Sequence, residues 1–249
     1  MEPSERAVYV TFDDGPIPEA TPWVLDVLDR YGVKATFFVV GDNVRKYPDL
    51  FREIIRRGHS VGNHTFHHIS GHIHGDFHFQ EDVELCQREM EKHGLNASTP
   101  PPTPSPALTP TPPMFPSLTR GRNQREGVDT AGALSSSTDE VTSPLPPREG
   151  PGVGLEGPVG LFRPPHGWMK PKQYRYVADR FRIIMWDLVT RDYSNRLTAA
   201  DVVNNIKRYA REGSIITFHD SLKSIDKLRT ALPQSIEWLQ AQGYEFRKL

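Results

Sequence analysis

Apolar and polar positions alternate along this chain in two rhythms. Residues 7–12 form a short, apolar, β-branched run, which predicts a strand. Residues 21–31 follow with Pro22 at a helix start and Trp23, Val24, Val27 and Leu28 on one face, and Gly32 as the stop. Residues 35–40 are the apolar run expected of a strand buried on both faces. Residues 48–57 read as an amphipathic helix with Leu50, Phe51, Ile54 and Ile55 inward, ended by Gly58. Further strands are predicted at 59–62, 182–186, 214–218 and 244–249. Further helices are predicted at 80–93, 172–181, 198–211 (opened by a capping box at Thr198) and 225–242, where Pro233 should force a break or kink. Strands alternating with helices argue for a parallel sheet, open or closed into a barrel, with chemistry at the C-terminal strand ends.

Residues 96–158 break this pattern. They hold 14 of the 23 prolines, 7 glycines and 15 Ser or Thr, with Phe115 the one aromatic. Such a stretch cannot bury enough apolar surface to offset the entropy of ordering it. The expectation is a disordered insertion, partly polyproline II between 99 and 116. The rest of the 249 residues, 5–95 and 159–249, then makes one domain.

Composition narrows the partners. Thirty Lys and Arg against 31 Asp and Glu give a net charge of −1, which argues against binding nucleic acid by bulk charge. No apolar run reaches the ~20 residues of a bilayer span. The first six residues lack the apolar core of a signal peptide, so the sequence by itself reads as cytoplasmic. Cys86 is the one cysteine, which excludes an intrachain disulfide or a multi-cysteine zinc site. A monomer is the expected oligomeric state.

Ionisable residues gather at the predicted strand tips. The first strand ends in Asp13-Asp14-Gly15. Adjacent carboxylates repel and need a cation or a basic neighbour, although Asp-Asp-Gly alone is favoured as a turn. His64 and His68 are four apart, a spacing that places two imidazoles on one metal ion if the backbone is helical. Taken alone, the pair reads as readily as exposed histidines, the reading preferred for His67, His72, His74 and His78. With Asp14 the trio becomes two histidines and a carboxylate, three ligands with one position open, the pattern of a catalytic site. Arg163 before Pro164 and Pro165 is a stiff, permanent cation able to hold a carboxylate. Asp187 reads as a strand-end cap, and His219 sits at the tip of an apolar strand.

Five motifs in order make the chain similar to the polysaccharide deacetylases of carbohydrate esterase family 4, the NodB homology domain. They are Thr11-Phe12-Asp13-Asp14-Gly15, His64-Thr65-Phe66-His67-His68, Arg163-Pro164-Pro165, Asp192 and His219. The resemblance implies an α/β fold, an irregular (β/α) barrel of about seven parallel strands. It implies a metal-dependent hydrolase that removes N-acetyl groups from an N-acetylated polysaccharide or oligosaccharide. Asp14, His64 and His68 would hold a divalent ion, with zinc expected and cobalt, manganese and nickel open. Asp13 would be the general base, held by Arg163. His219 would be the general acid, and Asp192 would orient either the arginine or that histidine. The backbone of His166 would meet the oxyanion, and Trp186, Tyr193 and Thr217 would line the substrate pocket. Three positions depart from the family pattern: His166 stands for Tyr, Tyr193 for Trp and Thr217 for Leu. The family's usual work lies outside the cytoplasm, which leaves two expectations open, a cytoplasmic protein or a true start upstream of residue 1. A hydrolase of another non-peptide C–N amide and a carbohydrate-binding pseudoenzyme are the competing readings.

Overall fold

The computed structural model describes residues 6–95 and 160–249; the expected insertion at 96–158 lies outside the described residues. Among the described residues, eight parallel strands are interspersed with seven α-helices. In chain order they are β1 (Ala7–Asp13), α1 (Thr21–Arg30), β2 (Thr36–Val39), α2 (Gly41–Lys46), α3 (Pro48–Arg56), β3 (Ser60–Asn63), α4 (Asp76–Lys92), β4 (Gly160–Phe162), α5 (Pro171–Ala178), β5 (Phe181–Ile183), β6 (Leu188–Val189), α6 (Ala199–Tyr209), β7 (Ile215–His219), α7 (Ile225–Ala241) and β8 (Glu245–Arg247). The sheet order is β5-β4-β3-β2-β1-β7-β6, so the curled sheet stays open between β5 and β6. β8 pairs with β1 at Ala7–Tyr9, beside the N-terminal half of that strand, while β2 takes over at Thr11–Asp13.

Two faces of β1 show how alternation builds the layers. Val8, Val10 and Phe12 join the main core with Val24, Leu25 and Leu28 of α1 and Leu228, Leu232 and Ile236 of α7. Phe12 stacks between Phe37 and Phe218, with ring centroids at 5.0 and 5.8 Å. The other face points inward. Tyr9 packs with Phe38, Leu161, Ile184 and Leu249 at the bottom of the barrel. Above it, Thr11 and Thr217 share a hydrogen bond of 3.1 Å. At the top, Asp13 and His219 are register partners. The interior therefore grades from apolar to ionisable toward the strand C-termini, which places the chemistry there.

Several expectations change. Among the described residues the path of the curled sheet holds seven parallel strands, as expected, with β8 added beside β1; within it the two-residue β6 goes unpredicted, because so short a strand carries almost no periodic signal. The short α2 was missed for the same reason, since six residues with Val44 and Gly41 alone buried make no apolar stripe. One helix, α7, runs through Pro233 without a break. Its buried stripe of Leu228, Leu232, Ile236 and Leu239 continues on both sides of the proline, and that burial outweighs the ~3 kcal/mol a mid-helix proline costs. Among the described residues, no helix is long and apolar enough to cross a membrane.

Candidate metal and acid–base site

The site is assembled from the loops that leave β1, β3, β4, β6 and β7. Five non-glycine residues there have left-handed backbones: Asp14 (φ 85°), Thr65 (63°), His68 (56°), His166 (58°) and Arg191 (61°). Such residues cost of order 1–3 kcal/mol each and persist where surrounding contacts over-determine them. Those contacts are visible. Thr65 donates its N–H to Asn63 Oδ1 at 2.9 Å, and its Oγ1 accepts the Ile69 N–H at 3.1 Å. The Asp14 carbonyl accepts from Asn43 Nδ2 at 2.8 Å. Sequence periodicity carries no sign of this strain.

His64 and His68 do converge, but not from a helix as the spacing had suggested. Their segment is an irregular loop after β3, and its left-handed turns bring the rings to a centroid distance of 5.0 Å. Asp14 Oδ1 lies 3.3 Å from His68 Nε2 and 4.0 Å from His64 Nε2. The three donor atoms all fall within 4.8 Å of one another, the one such cluster among the described residues. His64 is buried, and its Nδ1 faces the Arg163 carbonyl at 2.7 Å. That bond fixes the tautomer with Nδ1–H donating, so the Nε2 lone pair points to Asp14. Burial holds the pKa of His64 down and brings that of His68 to about 4, with the neighbouring histidines adding to it. Two neutral imidazoles and one carboxylate fit a first-row divalent ion.

Asp13 and Arg163 form the second unit. Arg163 is fully buried, with Nη1 2.6 Å from Asp13 Oδ1 and 2.8 Å from Thr11 Oγ1. Its Nε and Nη2 donate to the carbonyls of Ile184 and Met185, both at 3.2 Å. The guanidinium lies 4.0 Å from the Phe38 ring centroid. Adjacent carboxylates are thus separated by partner: Asp13 turns to an arginine, Asp14 to two imidazoles.

His219 and Asp192 form the third. Asp192 is fully buried; its Oδ1 lies 2.8 Å from His219 Nδ1 and its Oδ2 accepts the His219 N–H at 2.8 Å. Asp192 therefore orients the histidine, not the arginine. Burial of His219 opposes its charge, but the Asp192 hydrogen bond and charge, with Asp13 and Asp14, outweigh it and raise the pKa to about 9.

The remaining expected residues are placed less uniformly. The exposed Tyr193 meets the His219 ring edge-on at 4.8 Å. His166 is exposed, its ring 4.9 Å from that of His68. Trp186 lies so close beneath Gly167 that any Cβ there would collide with the indole. Thr217 is 1% exposed and spends its hydroxyl on Thr11, in the layer below the rim. Asp187 binds Ser214 Oγ at 2.6 Å and pairs with Arg211, as a strand-end anchor should.

Two buried acids escaped sequence reasoning. Asp220, next to His219, accepts the Gly15 N–H at 3.0 Å and the Thr21 hydroxyl at 2.6 Å, tying the β1 loop to β7; burial pushes its pKa up to about 8. Asp82 on α4 contacts the histidine loop. Only the position of Asp220 at a strand tip offered a signal.

The polysaccharide deacetylase family model matches residues 1–105. An uncharacterized 30.6 kDa protein of Geobacillus stearothermophilus is 43% identical over 252 residues, covering 100% of this chain and 71% of that protein. A peptidoglycan-N-acetylglucosamine deacetylase of Bacillus cereus is 25% identical over 246 residues, 98% of this chain and 86% of the relative. Among solved structures, a CE4 domain of a multidomain xylanase from the hindgut metagenome of Trinervitermes trinervoides superposes with a TM-score of 0.67 at 24% identity, over 99% of this chain and 88% of that one. The chain belongs to the polysaccharide deacetylase family.

Proposed function

We propose that this protein is a metal-dependent hydrolase that removes N-acetyl groups from an N-acetylated glycan, releasing acetate and a free amino sugar. The observation that carries the reading is the pairing of Asp13 with His219 across β1 and β7, each with its own buried counter-ion, beside three convergent metal donors. The B. cereus relative named for N-acetylglucosamine deacetylation supports the substrate class.

Asp14, His64 and His68 are the residues that would hold the ion, with zinc the expected metal. A divalent ion there supplies Lewis acidity, acidifying water and polarising the acetyl carbonyl. Asp13 then takes a proton from water as the water oxygen attacks the carbonyl carbon. Arg163 holds and aims the Asp13 carboxylate. The backbone N–H of His166 is assigned to the developing oxyanion. His219 holds its proton on the nitrogen not engaged by Asp192 and delivers it to the departing amine as the C–N bond breaks. Tyr193 and Trp186 border the sugar, while Thr217 supports the Asp13–Arg163 layer from below.

Acetate release from N-acetylglucosamine oligomers, measured together with bound metal, tests this. Acetate formation that requires the metal is the expected result. Metal uptake without acetate would move the assignment to another amide, and neither would leave a binding module.

A further inference from the structure

The histidine loop receives an unusual set of contacts from outside the site. Asp82, on the second turn of α4, is 3% exposed. Its Oδ2 accepts two successive backbone N–H groups, Phe66 and His67, each at 2.9 Å, and the Phe66 N–H is shared with the Asp82 main-chain carbonyl at 3.1 Å. Its Oδ1 lies 2.6 Å from His67 Nδ1. Those two peptide units are the middle pair of the four that link His64 to His68. They are also bracketed by the left-handed residues Thr65 and His68. One residue further along α4, the Val83 carbonyl accepts from Asn63 Nδ2 at 2.9 Å, fixing the other end of the turn.

We propose that Asp82 is a positioning residue for the metal site: its carboxylate clamps the peptide units of Phe66 and His67 and so pre-sets the two imidazoles to converge on Asp14. A carboxylate taken out of water must find donors, and a helix interior offers it none. This one is satisfied entirely by the loop, so its structural work is the shape of that loop. Groups behind metal ligands that fix their orientation typically contribute 10–100-fold to metal affinity. Asp82 differs from such a group in acting through backbone amides, not through a ligand's ring. The inference rests on Asp14, His64 and His68 being the ligands.

Zinc affinity of the metal-free full chain, measured by competition with a chelator, tests it together with amide hydrogen exchange. Asp82→Ala is expected to weaken zinc binding about 10–100-fold. In the metal-free state its His67 amide, which the carboxylate alone holds, should exchange faster while the amides of β1 and β7 keep their protection. His67→Ala, which removes the imidazole but leaves the clamped amides, should bind zinc within about twofold of the unaltered protein. If Asp82→Ala does not fold, Asp82→Ser, which can satisfy one amide, should show an intermediate loss. Unchanged zinc affinity in whichever variant folds would overturn the clamp. So would a loss in which β1 and β7 lose protection equally, or a His67→Ala loss as large as that of the Asp82 variant. An unaltered chain that takes up no zinc would remove the ligand assignment and the clamp together, a result distinct from zinc uptake that is indifferent to residue 82.

Discussion

Asp13 and His219 face each other across adjacent parallel strands, and each is held by a buried partner of opposite charge, Arg163 for one and Asp192 for the other. The two partners come from different loops, so either proposed catalytic group can be weakened separately. Asp13→Asn should retain the metal and lose at least about 100-fold in turnover. It should also lose about 3 kcal/mol of stability, because a fully buried guanidinium loses its carboxylate. Metal content, acetate release and urea unfolding of the same sample check all three.

Asp192 is expected to set the alkaline limit of activity. His219 stays protonated to about pH 9 because Asp192 outweighs the cost of burial. A general acid must carry its proton, so activity should fall as pH rises through that value. Replacing Asp192 with Asn removes the charge and leaves burial to act, so the alkaline limb should move down by about one unit or more. A pH–rate profile that keeps its limb near 9 in Asp192→Asn would argue against His219 as the acid.

The proposed metal donors can be tested one at a time. Asp14→Ala and His64→Ala should each abolish stoichiometric metal after dialysis, since two remaining donors make a weak site. The metal-to-protein ratio is the readout. Full occupancy in either variant would refute the ligand set.

Acid should destabilise the fold through a residue far from the chemistry. His59 is buried at the start of β3, accepts the Ala35 N–H on Nδ1 at 3.1 Å and leaves Nε2 without a hydrogen-bond partner. Burial drops its pKa to about 4, against 6.5 for an ordinary histidine. Between those values the unfolded chain binds a proton that the folded chain refuses. Stability therefore falls as pH is lowered from 6.5 toward 4, by about 3 kcal/mol at the limit. Urea unfolding at pH 7 and pH 4.5 should show the loss, and His59→Asn should flatten it.

Much of the site was legible because ionisable residues at strand ends have few structural uses. Asp13, Asp14 and His219 stand directly beside runs whose periodicity marks the strand, so their address is written next to them, while Arg163 is marked by the two prolines that follow it. The path between ligands was not legible. The fourfold spacing of His64 and His68 suggested a helix, yet left-handed turns at Thr65 and His68 bring the rings together. No local propensity encodes those turns; they are imposed by Asn63, Asp82 and the Thr65 hydroxyl. Asp82 itself is one acid in a charged helix, and nothing in a 3.6-residue period marks it as buried. The three-residue β5 and two-residue β6 were blurred because strands that short owe their conformation to neighbours.

Arg163 reaches further than its carboxylate. It leaves β4, crosses the barrel interior to Thr11 and Asp13 on β1, and binds the carbonyls of Ile184 and Met185 where the sheet is unzipped between β5 and β6. One side chain thereby anchors the segment that bridges the unpaired edge and tethers the proposed proton acceptor. Breathing at that gap would be transmitted straight to the angle of the Asp13 carboxylate, so the slit in the wall and the reactivity of the rim are mechanically one object. A lysine, with a single ammonium, could not reach all four anchors at once.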